Sequence, residues 1–318
     1  MHIDSNQIWL SADDGAQLFV RYWLPEGKPQ AVLHIVHGMA EHSGRYERFA
    51  TEICQKGIAV WASDLRGHGK TANLQVNSGR RGGLMGHCAD ANGDIRICAD
   101  IDMLNRRILE EYDHIPLFLM GHSWGSFLVQ HYIEQYHCRL AGVILSGTRG
   151  PGGLKVKLSV PIIRCICFLK GPRNTSRLAR ALVDGPLNTP FKPSRTPYDW
   201  ISRDPAEVDQ YIADPLCKNL CSVGFYRDLV FLLNRIHRPE HIWNIPKDLP
   251  IYIFSGSADP VGDEGDSPSA LVGVYRSNDI KDVEFTLYPG ARHETLHETN
   301  REEVSENVIN WLTRHIKT

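Results

Sequence analysis

A chain of 318 residues with 42% hydrophobic and 23% charged residues can bury a substantial core, so disordered and collagen-like structures are excluded. Its 35 Lys and Arg against 37 Asp and Glu leave a formal net charge of −2, which removes any global electrostatic case for nucleic-acid binding. No apolar run approaches the roughly 18 residues of a membrane span.

In chain order, period-2 apolar runs predict strands at Gln17–Leu24, Ala31–Val36, Ile58–Ser63, Pro116–Met120 and Leu140–Leu145. Helical patterns fall between them, near Arg45–Gln55, Asp94–Glu111 and Trp124–Gln135. In the second, Ile97, Ile101, Leu104 and Ile108 share one face. This alternation predicts an α/β fold, a mostly parallel sheet with helices on both sides. Turn signals at Asp13-Asp14-Gly15 and Pro25-Glu26-Gly27 allow the first runs to be antiparallel. The rhythm breaks at Gly147–Gly153, and up to about Pro246 the chain is rich in proline and helical patterns. It resumes with a strand at Ile251–Ser255, an acidic Gly/Pro/Ser loop, a strand at Val283–Tyr288 and a helix near Glu302–His315. The expected organisation is a core of residues 1–149 and 246–318, interrupted by a mainly helical cap at 150–245.

The start, Met1 to Ser5, lacks the basic and apolar regions of a signal peptide. The eight Cys follow no framework spacing, so reduced thiols and a cytoplasmic location are expected. Cys165-x-Cys167 has no second Cys/His pair beside it to complete a metal site.

Gly121-His122-Ser123-Trp124-Gly125 is a G-x-S-x-G motif. Alone it is weak, but an apolar strand runs into it and a helix follows, as in a nucleophile elbow. The flanking glycines suit a turn too sharp for side chains. Ser123 is therefore the candidate nucleophile, and a serine hydroxyl needs a base near neutral pH. In such a fold the acid and then the histidine follow in sequence, each on a loop at a strand end. Asp259, after the strand Ile251–Ser255, and His293, after Val283–Tyr288, occupy those places; Asp263 and Asp266 are rival acids. His293 would take the Ser123 proton, and Asp259 would orient the imidazole. An oxyanion hole needs two N–H donors. Trp124 N–H, next to the serine, and Met39 N–H, in the loop His37-Gly38-Met39-Ala40-Glu41, are the candidates. His37 is read as a loop-shaping hydrogen-bonder and Asp64–Gly69 as a structural turn.

A competing motif overlaps this one. His293-Glu294-Thr295-Leu296-His297 matches H-E-x-x-H, which on a helix would bind zinc. Here it follows a strand and the turn Tyr288-Pro289-Gly290, and only 21 residues remain to supply a third ligand. No metal is expected.

On His37–Tyr46, Asp64–Gly69, Gly121–Ser126, Gly256–Gly262 and His293-Glu294, the chain resembles α/β-hydrolases of the monoacylglycerol lipase/lysophospholipase (serine aminopeptidase S33-like) group. The resemblance runs over both core segments. It implies a core with a cap, no cofactor, and hydrolysis of carboxylic esters, monoacylglycerols or lysophospholipids above all, through an acyl-enzyme on Ser123. It supports Ser123, Asp259, His293, Met39 and Trp124 by matching position. Trp124 is a departure, because the family often has Met there. A Gly-x-Ser-Trp-Gly-Ser elbow is also similar to that of proline iminopeptidases, but their His-Gly-Gly-Pro-Gly oxyanion loop is absent. An S33-type peptidase and a non-catalytic binding protein of the same fold are the alternatives.

In the insertion, Phe225, Leu229, Leu232, Leu233 and Ile236 recur at helical spacing, either packing on the core or lining an acyl pocket. The proline-punctuated stretch Asp184–Asp214 reads as a mobile rim. From Arg149 to Val183 there are eight basic residues and no acid, with Leu158, Ile162, Ile166 and Leu169 at spacings that fit one helical face. Such a segment is either a solvated face or a peripheral contact with anionic lipid surfaces. The expected partner is a small-molecule or lipid ester; the sequence carries no signal for oligomeric state.

Overall fold

The computed structural model describes residues 4–77, 84–136, 139–183, 185 and 187–316. Eight strands form one sheet: β1 (Asn6–Ser11), β2 (Gln17–Trp23), β3 (Ala31–Val36), β4 (Ile58–Ser63), β5 (Leu117–His122), β6 (Gly142–Ser146), β7 (Ile251–Gly256) and β8 (Val283–Tyr288). Their order is β1-β2-β4-β3-β5-β6-β7-β8. The pairs β1/β2 and β2/β4 are antiparallel and the rest parallel. Every residue of β3, β4, β5, β6 and β7 is buried, which explains their near-continuous apolar runs: both faces of a parallel sheet are covered.

On one face, Leu33, Ile35, Phe118, Met120 and Phe254 pack with Phe49 and Ile53 of α1 (Glu47–Cys54) and Trp311 of α11 (Arg301–Ile316). On the other, Leu119, Val143, Leu145 and Ile253 meet α3 (Gly93–Glu111), α4 (Trp124–Gln135) and α10 (Asp266–Ser277). The Ile97-Ile101-Leu104-Ile108 stripe of α3 is fully buried, as its spacing predicts. Parallel register brings the carboxyl ends of five strands level: Val36 pairs with Gly121, His122 with Ser146, Ser146 with Phe254, and Gly256 with Tyr288. The elbow and the two later loops leave from that edge.

Between β6 and β7 the described residues form helices and no strand: α5 (Gly153–Lys170), α6 (Arg177–Val183), α7 (Pro205–Ala213), α8 (Val223–Arg235) and α9 (Pro239–Ile242). Phe225, Leu229, Leu232 and Ile236 are all buried in one cluster with the α3 and α4 side chains.

Three elements differ from expectation. β1 is a strand the sequence does not announce: its side chains alternate only between exposed and half-buried, as on an edge. The stretch Gly69–Asn77 is a helix, α2. The acidic loop after β7 contains α10. Pro268 sits in the first turn of α10, where a missing N–H removes no intrahelical bond, so it does not break the helix as its type suggests. Among the described residues, no helix is long and apolar enough to cross a membrane. Seven of the cysteines are described, and all are free thiols.

Candidate active site

β5 ends and α4 begins within a single residue, Ser123, which is held at φ 52° and ψ −123°. This is a strained conformation for a residue with a side chain, and it lifts the hydroxyl above the strand ends. The glycines make it possible: a Cβ on Gly121 would sit 2.5 Å from the Gly125 carbonyl oxygen, and one on Gly125 would overlap the Val36 carbonyl. Ser123 N–H donates to Ser146 O at 2.9 Å and fixes the elbow to the end of β6.

The β7 and β8 loops bring Asp259 and His293 together. His293 Nδ1 lies 3.0 Å from both carboxylate oxygens of Asp259. Asp259 is fully buried and also accepts from Val261 N–H at 2.9 Å and Ser255 Oγ at 3.2 Å. Burial works against its charge, but the imidazole and these donors hold its carboxyl below the usual range. Burial likewise opposes charge on His293, and the adjacent Asp259 outweighs it, raising the imidazole above its ordinary value. The rivals face elsewhere: Asp263 is exposed and lies 3.5 Å from Arg149, and Asp266 is exposed at the start of α10.

Ser123 and Met39 line two adjoining cavities. One, of about 430 Å³, also has Glu41, Trp200 and His293 in its wall. The other, of about 1,030 Å³, is walled by Trp124, Phe127, Leu229, Val230 and Leu233. So α8 packs on the core with one side and lines the larger cavity with another. Trp124 opens α4, where its N–H has no acceptor one turn back. In the β3 loop, Gly38 N–H is taken by Glu41 Oε1 at 2.5 Å, which leaves Met39 as the next donor along. The Trp124 ring is buried against His68, 5.1 Å between centroids, and Phe225, 4.8 Å. A large ring after the serine thus fills the gap between the Asp64–Gly69 turn and α8.

His37 accepts from Leu65 N–H through Nε2 at 2.9 Å, so its Nδ1–H donates to Gly38 O at 2.8 Å. Both ring nitrogens are spent on loop backbone. Asp64 accepts from Ser43 N–H at 2.9 Å and Lys70 N–H at 2.7 Å, and Arg66 reaches Asp14 and Asp100. The Asp64–Gly69 turn is structural, as read.

The H-E-x-x-H residues do not converge on one point, although His297 Nδ1 lies 3.3 Å from Glu294. His293 faces Asp259, Glu294 holds Arg45 through two bonds of 2.7 Å, and His297 Nε2–H donates to Arg45 O at 3.1 Å. Thr295–His297 is a single tight turn, not the long helix that zinc ligation at i, i+4 requires. Arg45 also binds Glu41 at 3.0 Å, and Tyr46 OH donates to Glu41 at 2.9 Å. This buried group joins the Met39 loop to the His293 loop. Sequence reasoning missed it, although Glu41 and Arg45 stand at i, i+4 in a stretch already singled out.

A second missed feature comes from the insertion. The Trp200 ring packs against His293 with centroids 5.0 Å apart and the planes tilted by 36°, and the Trp200 carbonyl accepts His293 N–H at 3.4 Å. Glu294 N–H donates to Ile201 O at 2.8 Å, and Ser202 Oγ donates to His297 O at 2.7 Å. Nothing in the residue types near Trp200 signals this pairing across 93 positions.

A family model described as Serine aminopeptidase, S33 matches residues 27–300. The chain belongs to this family. It is 28% identical to the monoglyceride lipase of Rattus norvegicus, covering 95% of this chain and 89% of that one. It is 27% identical to the monoacylglycerol lipase of Mycolicibacterium smegmatis, with 95% of each covered. Among solved structures, a thermostable carboxyl esterase from Bacillus coagulans in complex with glycerol superposes with TM-score 0.87 at 27% identity, over 99% of both chains. A soluble variant of the Saccharomyces cerevisiae monoglyceride lipase, at 22% identity, shares the fold with TM-score 0.77 over 98% of this chain and 95% of that one. These matches place the chain among the carboxylic ester hydrolases of the α/β-hydrolase fold.

Proposed function

We propose that this family member hydrolyses monoacylglycerols or closely related acylglycerol esters through an acyl-enzyme on Ser123. The observation that carries the reading is a strained serine on the wall shared by two cavities, one of which also holds the Asp259-bound His293. In this reading neutral His293 takes the Ser123 proton as Oγ attacks the ester carbonyl, and Met39 and Trp124 N–H groups bind the oxyanion. His293 then protonates the departing alcohol, and water releases the acyl group by the reverse sequence. Asp259 holds the imidazole in the required tautomer.

The larger cavity, with its leucine and valine wall, suits an acyl chain, and the insertion at 150–245 acts as the cap that roofs it. The curated monoglyceride lipases support the acylglycerol assignment. A peptidase reading is disfavoured: the carboxylates in the smaller cavity's wall, Glu41 and Glu294, both grip Arg45, which leaves neither to receive a peptide ammonium. As part of the same proposal, the protein works in the cytoplasm and meets its substrate at a lipid surface. The free thiols support the first and the exposed apolar side of α5 the second.

Incubation with a fluorophosphonate probe, followed by a panel of monoacylglycerols and p-nitrophenyl esters, tests the reading. Labelling at Ser123 together with turnover of monoacylglycerols is expected. A folded protein that takes no label and cleaves no ester overturns it.

A further inference from the structure

The Trp124 N–H belongs to the peptide unit that joins Ser123 to Trp124. A trans peptide is planar, with its C=O and N–H pointing opposite ways. Whatever holds the Ser123 carbonyl therefore aims the Trp124 N–H. Three donors meet that carbonyl oxygen: Ser126 N–H at 2.8 Å, Phe127 N–H at 3.3 Å and Ser126 Oγ–H at 2.5 Å. The two backbone donors are the first bonds of α4. The hydroxyl is an extra donor, supplied by a side chain.

Behind Ser126 lies a row of fully buried polar groups. Ser126 Oγ is 2.7 Å from Thr148 Oγ1, and Gln130 Nε2–H donates to Thr148 Oγ1 at 2.9 Å. All three residues are shut off from solvent, and none of them lines either cavity. Ser126 and Gln130 stand at i, i+4 on α4, one above the other, and Thr148 reaches them from the loop after β6. The proton count sets the direction of the row, because each hydroxyl has a single proton. The Ser123 carbonyl has none to give, so it takes the Ser126 proton, and Thr148 must donate to Ser126. The Gln130 amide is oriented by the same reasoning: its Nε2 also donates to Arg149 O at 3.2 Å, and its Oε1 accepts from His237 Nε2–H at 3.0 Å and Tyr275 OH at 3.5 Å. Every bond runs one way, from His237 through Gln130, Thr148 and Ser126 to the Ser123 carbonyl. Hydrogen bonds aligned in this way polarise one another.

From this one-way row we infer that Ser126, Thr148 and Gln130 are positioning residues for the oxyanion hole. They hold the 123–124 peptide plane and strengthen its N–H as a donor. The inference rests on the proposed reaction, in which the Trp124 N–H binds the oxyanion. An interaction made only as that charge develops acts on kcat and leaves KM alone. Losing an oxyanion donor outright costs about 10²- to 10³-fold in kcat, so losing the support of one should cost about tenfold.

The test measures turnover of p-nitrophenyl octanoate and inhibition by two ketones, with thermal melts as the check on folding. An octyl trifluoromethyl ketone carries an oxyanion once Ser123 has added to it; the matching methyl ketone binds without adding. Ser126→Ala should lower kcat about tenfold at unchanged KM and weaken the trifluoromethyl ketone by the same factor, with the methyl ketone unaffected. Thr148→Val should lose a smaller part of kcat, and Thr148→Ser, which keeps the hydroxyl, should recover it. Ser126→Ala with Thr148→Val should lose no more than Ser126→Ala alone, because Thr148 acts through that hydroxyl. Wild-type kcat in Ser126→Ala, losses that multiply in the double variant, or a loss shared equally by both ketones overturns the inference. Where Ser126→Ala does not fold, the Thr148 pair decides, and equal kcat in Thr148→Val and Thr148→Ser overturns it. The unaltered protein keeps the two readings apart: turnover there with any of these outcomes ends the positioning role alone, whereas no turnover and no fluorophosphonate label end the hydrolase reading itself.

Discussion

Two stretches of the insertion border the site in opposite ways. Residues 199–204 are sewn to the His293 loop: besides the Trp200, Ile201 and Ser202 contacts, Arg292 donates to Asp199 O and, at 3.0 Å, to Ser202 O. Arg203 N–H and Nε donate to Glu298 at 2.9 and 2.8 Å, and Arg301 binds Asp204 at 2.9 Å. By contrast α5 buries only Ile163, Ile166 and Cys167 and leaves Leu154 70%, Phe168 88% and Leu169 75% exposed. The expected mobile rim therefore splits. Its Asp199–Asp204 part is anchored at the chemistry, Asp184 and Pro186 lie outside the described residues, and the exposed apolar surface belongs to α5 and α6. Proline content marks irregular backbone, but hydrogen bonds decide whether that backbone is held.

The largest effects are expected on the anchored side. Ser123→Ala and His293→Ala should each lower kcat by about 10⁴-fold or more with the fold intact by circular dichroism, since triad members act as a unit. Asp259→Asn should lose activity on the same scale, whereas Asp263→Asn and Asp266→Asn should stay near wild type. Equal losses at all three acids would remove Asp259 from its special position.

Trp200 sharpens the comparison next. Trp200→Ala removes the ring packed against His293 and should cost about 10- to 100-fold in kcat on soluble and vesicle-borne esters alike, because a small misplacement of the base is costly. Trp200→Phe should recover most of it. A loss confined to vesicle-borne substrate would mean that residues 199–204 serve the surface and not the histidine.

The pH profile gives the third check. His293 must be neutral to accept the serine proton, and Asp259 raises its proton affinity above the ordinary value of 6.5. Activity should therefore be low in acid and rise with pH, with a midpoint above 6.5. His122, which burial pulls down to about 4, should not contribute in that range. A midpoint well below 6.5 would contradict the His293–Asp259 geometry.

How much of this was legible in the sequence follows from range. The elbow is a local pattern, so Gly121, Ser123 and Gly125 could be read directly, and strand–helix alternation gave the parallel sheet. That Asp259 and His293 meet is legible because fold order fixes which strand ends carry an acid and a histidine. Trp200 and Arg45 were not found: their partners lie 93 and 249 positions away, at His293 and Glu294. α10 was hidden by residue types that are unfavourable inside a helix yet harmless in its first turn. The basic stretch was half legible. Leu158, Ile162 and Leu169 do share an exposed side, but Ile166 points inward, and Arg173 is spent on Asp90 at 2.7 and 2.8 Å.

The smallest expected effect concerns that exposed side. Leu158, Ile162 and Leu169 stand at spacings of four and seven residues, and Leu154 and Phe168 widen the apolar area at the two ends of α5. Lys155, Lys157 and Lys170 are exposed beside them. Apolar area with basic groups around it suits shallow insertion into an anionic lipid surface. Three side chains dipping partly give only modest affinity, so the consequence should be a several-fold effect and not an all-or-none one. Phe168→Ser with Leu169→Ser should lower turnover of vesicle-borne monoacylglycerol about three- to tenfold, at roughly 0.8 kcal/mol per buried CH₂ only partly realised. Turnover of a soluble short-chain ester should be unchanged, because among the described residues α5 makes no hydrogen bond to the 289–301 loop in the way residues 199–204 do. Co-flotation with vesicles at low salt reads the same contact without catalysis. If the double variant floats as well as the wild type, or loses soluble-ester activity in equal measure, the division of the insertion into an anchored and a lipid-facing part fails.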